Sequence, residues 1–133
     1  MFYFAYGINL SRRQMVALYP DCQPKFSAEL PNYKLIFTGW SRQWHGGLVS
    51  IRSSRGDKVL GGIYEITEAD LAKLDRHEEY PKNYNRLEVT VYRDSGEQIK
   101  AVTYIKTLQS EETKPSVEYV KIIQQGYHDW GLI

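Results

Sequence analysis

The chain has 133 residues, 42% apolar and 25% charged, with 17 Lys+Arg against 16 Asp+Glu. That length predicts one domain, residues 1–133, with a core large enough to need no staples. The composition argues against a disordered tail or a membrane bundle, and a net charge of +1 argues against a general nucleic-acid binder.

Residues 2–6 form a short apolar, aromatic run that predicts a buried strand, broken at Gly7-Ile8-Asn9. Ser11 followed by Gln14 has the form of a capping box and predicts a helix over 12–19. Pro20, Pro24 and Pro31 punctuate the next stretch of chain. Residues 33–38, 48–52 and 58–66 are rich in β-branched and aromatic side chains and predict strands, with Ser54-Arg55-Gly56-Asp57 as a turn between the last two. Thr67 opens a second helix, with Glu68 and Asp70 in its first turn and Leu71 and Leu74 as its apolar face. Pro81 ends that segment. Residues 87–92 and 99–105 alternate around Asp94-Ser95-Gly96-Glu97 and predict a β-hairpin. A last helix is expected near Pro115, with Val117, Val120 and Ile123 at helical spacing and Gly126 as its stop. This order is not the alternation of a doubly wound sheet. It predicts an α+β fold: a small mixed, strongly curved sheet or β-barrel with flanking α-helices.

Cys22 is the sole cysteine, so no internal disulfide is expected; it reads as a small buried filler. The longest uncharged stretch, residues 1–11, is far short of a membrane span of about 20 residues and lacks the leading basic region of a signal peptide. The expectation is a cytoplasmic protein without a membrane partner. His45, His77 and His128 match no metal-ligand spacing, and no nucleotide fingerprint is present. No metal or cofactor is expected.

Three segments and one tyrosine invite a chemical reading. Tyr3-Phe4-Ala5-Tyr6-Gly7-Ile8-Asn9 runs from a strand through a loop into a helix. Consecutive amides beside a helix end suit an anionic group, and Gly7 would admit a ligand to the main chain; a plain strand-to-helix turn accounts for the same residues. Glu78 falls at the C-terminal end of the second helix. The dipole there, with the like charges of Asp75 and Glu79, pushes a carboxyl pKa up toward general-base use, opposed by Arg76 and Lys82. A solvated acidic helix end is the competing account. Trp44-His45-Gly46-Gly47 fits a turn with one aromatic lid residue, or glycines packed against neighbouring backbone. Tyr119 reads as a packing residue whose hydroxyl can reach a cleft.

Taken in order, these segments resemble the γ-glutamylcyclotransferase family over nearly the whole chain. Tyr3-Phe4-Ala5-Tyr6-Gly7-Ile8-Asn9 is similar to the family's opening Tyr-Phe-Ala-Tyr-Gly-Ser-Asn, and Trp44-His45-Gly46-Gly47 to its Trp-x-Gly-Gly. Gly61-Gly62-Ile63-Tyr64 is similar to its Gly-Val-Val/Leu-Tyr strand, and Leu74-Asp75-Arg76-His77-Glu78 to its Leu-Asp-x-x-Glu signature. Pro115-Ser116-Val117-Glu118-Tyr119 resembles its Pro-Ser-x-x-Tyr closing helix. The resemblance implies a compact mixed barrel and an intramolecular acyl transfer needing no cofactor or metal. The α-amine of a small-molecule γ-glutamyl substrate attacks its own γ-carbonyl, giving 5-oxoproline and a free amino acid or amine. It also implies that Tyr3, Phe4, Ala5, Tyr6, Gly7, Ile8 and Asn9 bind substrate with Tyr119, and that Glu78 is the acid/base. A monomer or homodimer is expected.

Two positions depart from the family pattern. Ile8 replaces serine, which removes a hydroxyl and, if that hydroxyl bonds substrate, about 1 kcal/mol or more of affinity. Glu79 replaces the glycine that usually follows the catalytic glutamate, and would crowd the site or shift Glu78. These departures keep open a second reading, a non-catalytic binding protein for γ-glutamyl compounds.

Overall fold

Two strands far longer than the sequence suggests carry the architecture of this computed structural model, which describes residues 1–133. β1 (Phe2–Ala5) leads through a 3-10 turn (Ile8–Leu10) into α1 (Arg12–Leu18). β2 (Gln23–Ser41) and β3 (Gly46–Glu65) come next, then α2 (Glu68–His77), β4 (Tyr84–Tyr92), β5 (Gln98–Lys106) and α3 (Val117–Asp129). The strands join in the order β1-β3-β2-β4-β5 and close into a barrel with β5 beside β1. Neighbours are antiparallel except at the β1–β5 seam, where Tyr3 pairs with Val102 in parallel. Thr103 Oγ1 donates to Phe4 O across that seam at 2.7 Å. The expected mixed α+β barrel is the fold observed, closed by short pairings at the β1–β5 and β2–β4 seams. No helix is long and apolar enough to cross a membrane.

The β2–β3 ribbon corrects two expectations. The prolines do not end strands: β2 runs through Pro24 and Pro31, with register shifts beside each. Proline lacks one ladder donor, and a bulge absorbs that loss without ending the strand. Ser54–Asp57 is no hairpin turn either. Ser53 pairs with Tyr33 and Lys58 with Pro31, so residues 54–57 bulge opposite Asn32 alone and the chain keeps its direction. Gly56, at φ +89°, donates its N–H to Asn32 Oδ1 at 3.1 Å and closes the bulge. A turn composition thus marks a bulge, because β2 is long enough to pair on both sides of it.

All five strands supply the main core, including Phe4, Leu30, Ile51, Ile63, Val91 and Ala101, with Tyr119 and Ile123 of α3 packed among them. A second core joins Tyr3, Ala5 and Tyr64 to Leu10, Met15, Tyr19, Leu74 and Trp130 beneath the helices. Cys22 lies in this second core, buried, as expected of a filler.

Helix ends follow local chemistry. Ser11 Oγ accepts from Gln14 N–H, and Thr67 and Asp70 form a complete capping box. α3 starts later than expected: Ser116, not Pro115, precedes it as the cap and accepts from Tyr119 N–H. Gly126 does not stop α3, which continues to Asp129. It is the buried contact with the 3-10 turn: a Cβ there would stand 2.4 Å from Leu10 Cβ and 2.9 Å from Ser11 N. The buried face of α3 is therefore Tyr119, Ile123 and Gly126, while Val117 is 65% exposed. α2 ends in a Schellman motif. Tyr80 N–H donates to Asp75 O at 2.8 Å and Glu79 N–H to Arg76 O at 3.2 Å, with Glu79 left-handed at φ +52°. Glycine suits that position, which gives a backbone reason for the residue that the resembled family carries there.

Gly126→Ala is expected to cost about 1–3 kcal/mol by overpacking the α3 contact, read as a lowered denaturant midpoint at unchanged m-value. Glu79→Gly is expected to stabilise by about 0.5–1 kcal/mol, because it removes left-handed strain at some cost in chain entropy; a lower thermal midpoint would refute this account of the helix end.

Candidate active site

α2 delivers Glu78 to a cavity of about 640 Å³ walled by β1, the 3-10 turn, the β2–β3 turn, α3 and the ends of β4 and β5. The Schellman motif fixes the backbone on either side of this glutamate, and its own N–H donates to Leu74 O at 2.8 Å. Tyr3, Tyr6, Gly7, Ile8, Asn9 and Tyr119 line the same cavity. The structure thus brings together segments that lie far apart in sequence. Phe4 and Ala5 do not line it. Both are fully buried, the Phe4 ring against Gly61 in the barrel core and Ala5 in the second core, and only the longer side chains on the same two faces, Tyr3 and Tyr6, reach the cavity.

The Glu78 carboxyl has neither a hydrogen-bond nor an ion-pair partner. Burial alone pushes its pKa from 4.5 up to about 7. The expected direction holds, but its cause is burial and not the neighbouring charges. Asp75 is committed elsewhere, accepting from Tyr104 OH at 2.6 Å and lying 3.4 Å from Arg86 Nε. Glu79 accepts from Asn83 Nδ2, and both line the same cavity. Neither carboxylate contributes to the Glu78 shift.

Around this carboxyl stands a set of phenols that no sequence motif singles out: Tyr19, Tyr84 and Tyr104 join Tyr3, Tyr6 and Tyr119. Each is pushed above the ordinary phenol pKa, first by burial and further by the Glu78 charge. All six therefore stay protonated near neutral pH. Several of these hydroxyl hydrogens are already used. Tyr6 donates to Tyr104 O, Tyr84 to Val49 O and Tyr104 to Asp75. Tyr3 instead accepts from Asn9 Nδ2 at 3.0 Å, and Tyr119 accepts from Val49 N–H at 3.0 Å. Those two keep a hydrogen to donate to a bound molecule.

The glycine-flanked aromatic segment also finds its place. Trp44 lines the cavity with its ring centroid 5.1 Å from that of Tyr119, and a Cβ on Gly46 would stand 2.7 Å from Ser116 N, so the glycines are packed against neighbouring backbone. Ile8 packs partly against the barrel core and leaves the cavity open. His77 Nδ1 meets Tyr19 OH at 2.5 Å and His45 packs edge-on to Trp40; no group of three metal-ligating side chains comes together.

The chain is similar to known proteins over nearly its whole length. The sequence model of the family described as "Gamma-glutamyl cyclotransferase, AIG2-like" matches residues 3–128. Gamma-glutamylcyclotransferases of Bos taurus and Homo sapiens are each 34% identical over 98% of this chain and 71% of their own length. A solved structure titled "Gamma-glutamyl cyclotransferase" superposes with a TM-score of 0.93 at 33% identity, covering 99% of this chain and 80% of that one. YkqA from Bacillus subtilis, 23% identical with a TM-score of 0.84 over 98% of this chain and 49% of its own, shares the fold. With the match extending over nearly every residue, the chain belongs to the gamma-glutamyl cyclotransferase, AIG2-like family and is an enzyme of that kind.

Proposed function

We propose that this enzyme cyclises a small γ-glutamyl amino acid, peptide or amine to 5-oxoproline, with Glu78 as the general acid/base. The observation that carries the reading is the unpartnered Glu78 carboxyl, poised near neutrality, in a cavity that also exposes Gly7, Ile8 and Asn9. An α-ammonium must lose a proton before it can attack, and a carboxyl near pKa 7 can both take that proton and return it. The neutral amine then adds to the γ-carbonyl carbon. That addition closes the five-membered ring; Glu78 protonates the departing nitrogen, the original amide C–N bond breaks, the ring nitrogen sheds its second proton to the released amine, and no water is consumed.

The remaining residues hold the glutamyl chain bent. The first amides of a 3-10 turn have no partner inside it, and those of Gly7 to Asn9 would grip an anionic oxygen of the head. Tyr3 and Tyr119 would donate their free phenolic hydrogens to the head's remaining oxygens. Confining amine and carbonyl together is a proximity effect, in which effective molarities reach about 10⁵–10⁸ M. Ile8 supplies an amide to this scheme and no hydroxyl, so the serine of the resembled family is not required by it. Phe4 and Ala5 serve as packing residues.

Glu78→Gln should lower 5-oxoproline release from a γ-glutamyl panel by about 10²–10⁴-fold while circular dichroism stays native. Wild-type protein that binds γ-glutamyl compounds but turns over none would support the binding-protein reading. The wild-type kcat/KM should rise with pH through an inflection at about 7, as the base loses its proton.

Stability should run the opposite way. Below about pH 4 the carboxyl is protonated in both folded and unfolded chains and nothing differs. As pH rises toward 7 the unfolded chain loses a proton that the folded one keeps, and stability falls; above about 7 the loss is complete. Glu78→Gln lacks this penalty. Its advantage over wild type should therefore grow between about pH 4 and 7, by up to about 1.4 kcal/mol for each pH unit crossed. A constant difference across that range would mean the carboxyl is hydrated.

A further inference from the structure

The cavity wall carries a cation that the cyclisation chemistry leaves unused. Lys106 lies two residues beyond Tyr104 on the same face of β5, about 7 Å further along, where β5 reaches the β2–β3 turn. Its side chain is half-buried and forms no ion pair or side-chain hydrogen bond, although it lines the cavity. Its placement is built in. The register shift between Thr38 and Ser41 bends β2, and Gly39 takes φ +72° at that bend. A Cβ on Gly39 would stand 3.0 Å from Lys106 Nζ, so the missing side chain lets the ammonium lie against the bend. Thr113 Oγ1 donates to Gly39 O at 2.6 Å and ties the bend down.

Next to this cation is apolar surface. Trp40 is 70% exposed and Leu18 48% exposed, and both edge the cavity together with Trp44. A lone exposed tryptophan needs no explanation. Trp40, one residue from Gly39, and a half-buried, unpaired ammonium on the wall of one cavity suit a molecule with a carboxylate beside an apolar group. Tyr84 pairs with Lys106 across β4 and β5, so this cation adjoins the phenols.

We infer that Lys106 is the specificity residue for the leaving group: its ammonium receives the carboxylate of a departing α-amino acid, whose apolar side chain lies against Trp40. This rests on the γ-glutamyl reading above. It selects, within that reading, amino-acid leaving groups over amines. An amine leaving group would strand the ammonium beside aliphatic carbon and gain nothing from it.

The test uses two ligands that differ only in the carboxylate, γ-glutamyl-phenylalanine and γ-glutamyl-phenethylamide. Calorimetry on Glu78→Gln measures binding without turnover. The carboxylate ligand should bind at least tenfold more tightly. Adding Lys106→Gln should erase that preference and leave the amide's affinity within about twofold, and Lys106→Arg should restore part of it. Equal affinity of the two ligands for Glu78→Gln overturns the inference and leaves the γ-glutamyl reading intact. So does a Lys106→Gln variant that weakens both ligands alike, since Lys106 would then serve the shared head or the bend. Failure of both ligands to bind overturns the inference together with the γ-glutamyl reading.

Discussion

Moving a carboxylate out of water costs several kcal/mol, and proteins ordinarily offset this with a cation or a set of amides. At Glu78 neither is supplied. Arg86 is spent on Asp75, and Asp75 is spent again on Tyr104. The groups surrounding Glu78 are phenols, which tolerate burial while neutral and become harder to ionise beside a negative charge. Every phenol lining the cavity is shifted in that direction. The outcome is a carboxyl that exchanges its proton near neutral pH, among donors that do not compete for it.

The fold supports this arrangement by holding backbone where side chains cannot. The Schellman motif turns the chain sharply after Glu78, and Thr67 with Asp70 fixes the other end of the same helix. Opposite it, Tyr84 OH donates to Val49 O while Tyr119 OH accepts from Val49 N–H, so one residue of β3 anchors two walls of the cavity. Gly126 draws α3 onto the 3-10 turn that follows β1. Loss of any of these contacts would move a wall relative to the carboxyl, and catalysis is sensitive to misplacements of an ångström or less.

Much of the fold was legible because its signals are local. Caps at Ser11 and Thr67, the alternation of β4 and β5, and the short aromatic run of β1 depend on neighbours within a few residues. Apart from the start of α3, which a local cap at Ser116 sets, the places where the structure departs from expectation depend on a distant partner. Residues 54–57 have a turn's composition, and only the length of β2 shows that they bulge. Gly126 resembles a helix stop until Leu10 is found against it. Val117 fits a helical apolar stripe, yet the barrel meets the stripe through Tyr119 and Ile123. Periodicity names a face of a helix, whereas the rotation of that face is set by the surface it packs on.

The same division holds at the site. The order of motifs along the chain determined the family and singled out Glu78, whose pKa shift matched the expected direction for a different reason. Tertiary structure decided the cause of that shift, because desolvation is the sum of atoms from many segments and no single segment encodes it. It also decided that Phe4 and Ala5 are enclosed while Tyr3 and Tyr6, on the same two faces of β1, reach the cavity, since local sequence permits more than one choice until a barrel closes. The phenols of Tyr84 and Tyr104 and the ammonium of Lys106 became visible only then, because closing the sheet is the step that brings β4 and β5 around to meet the end of α2.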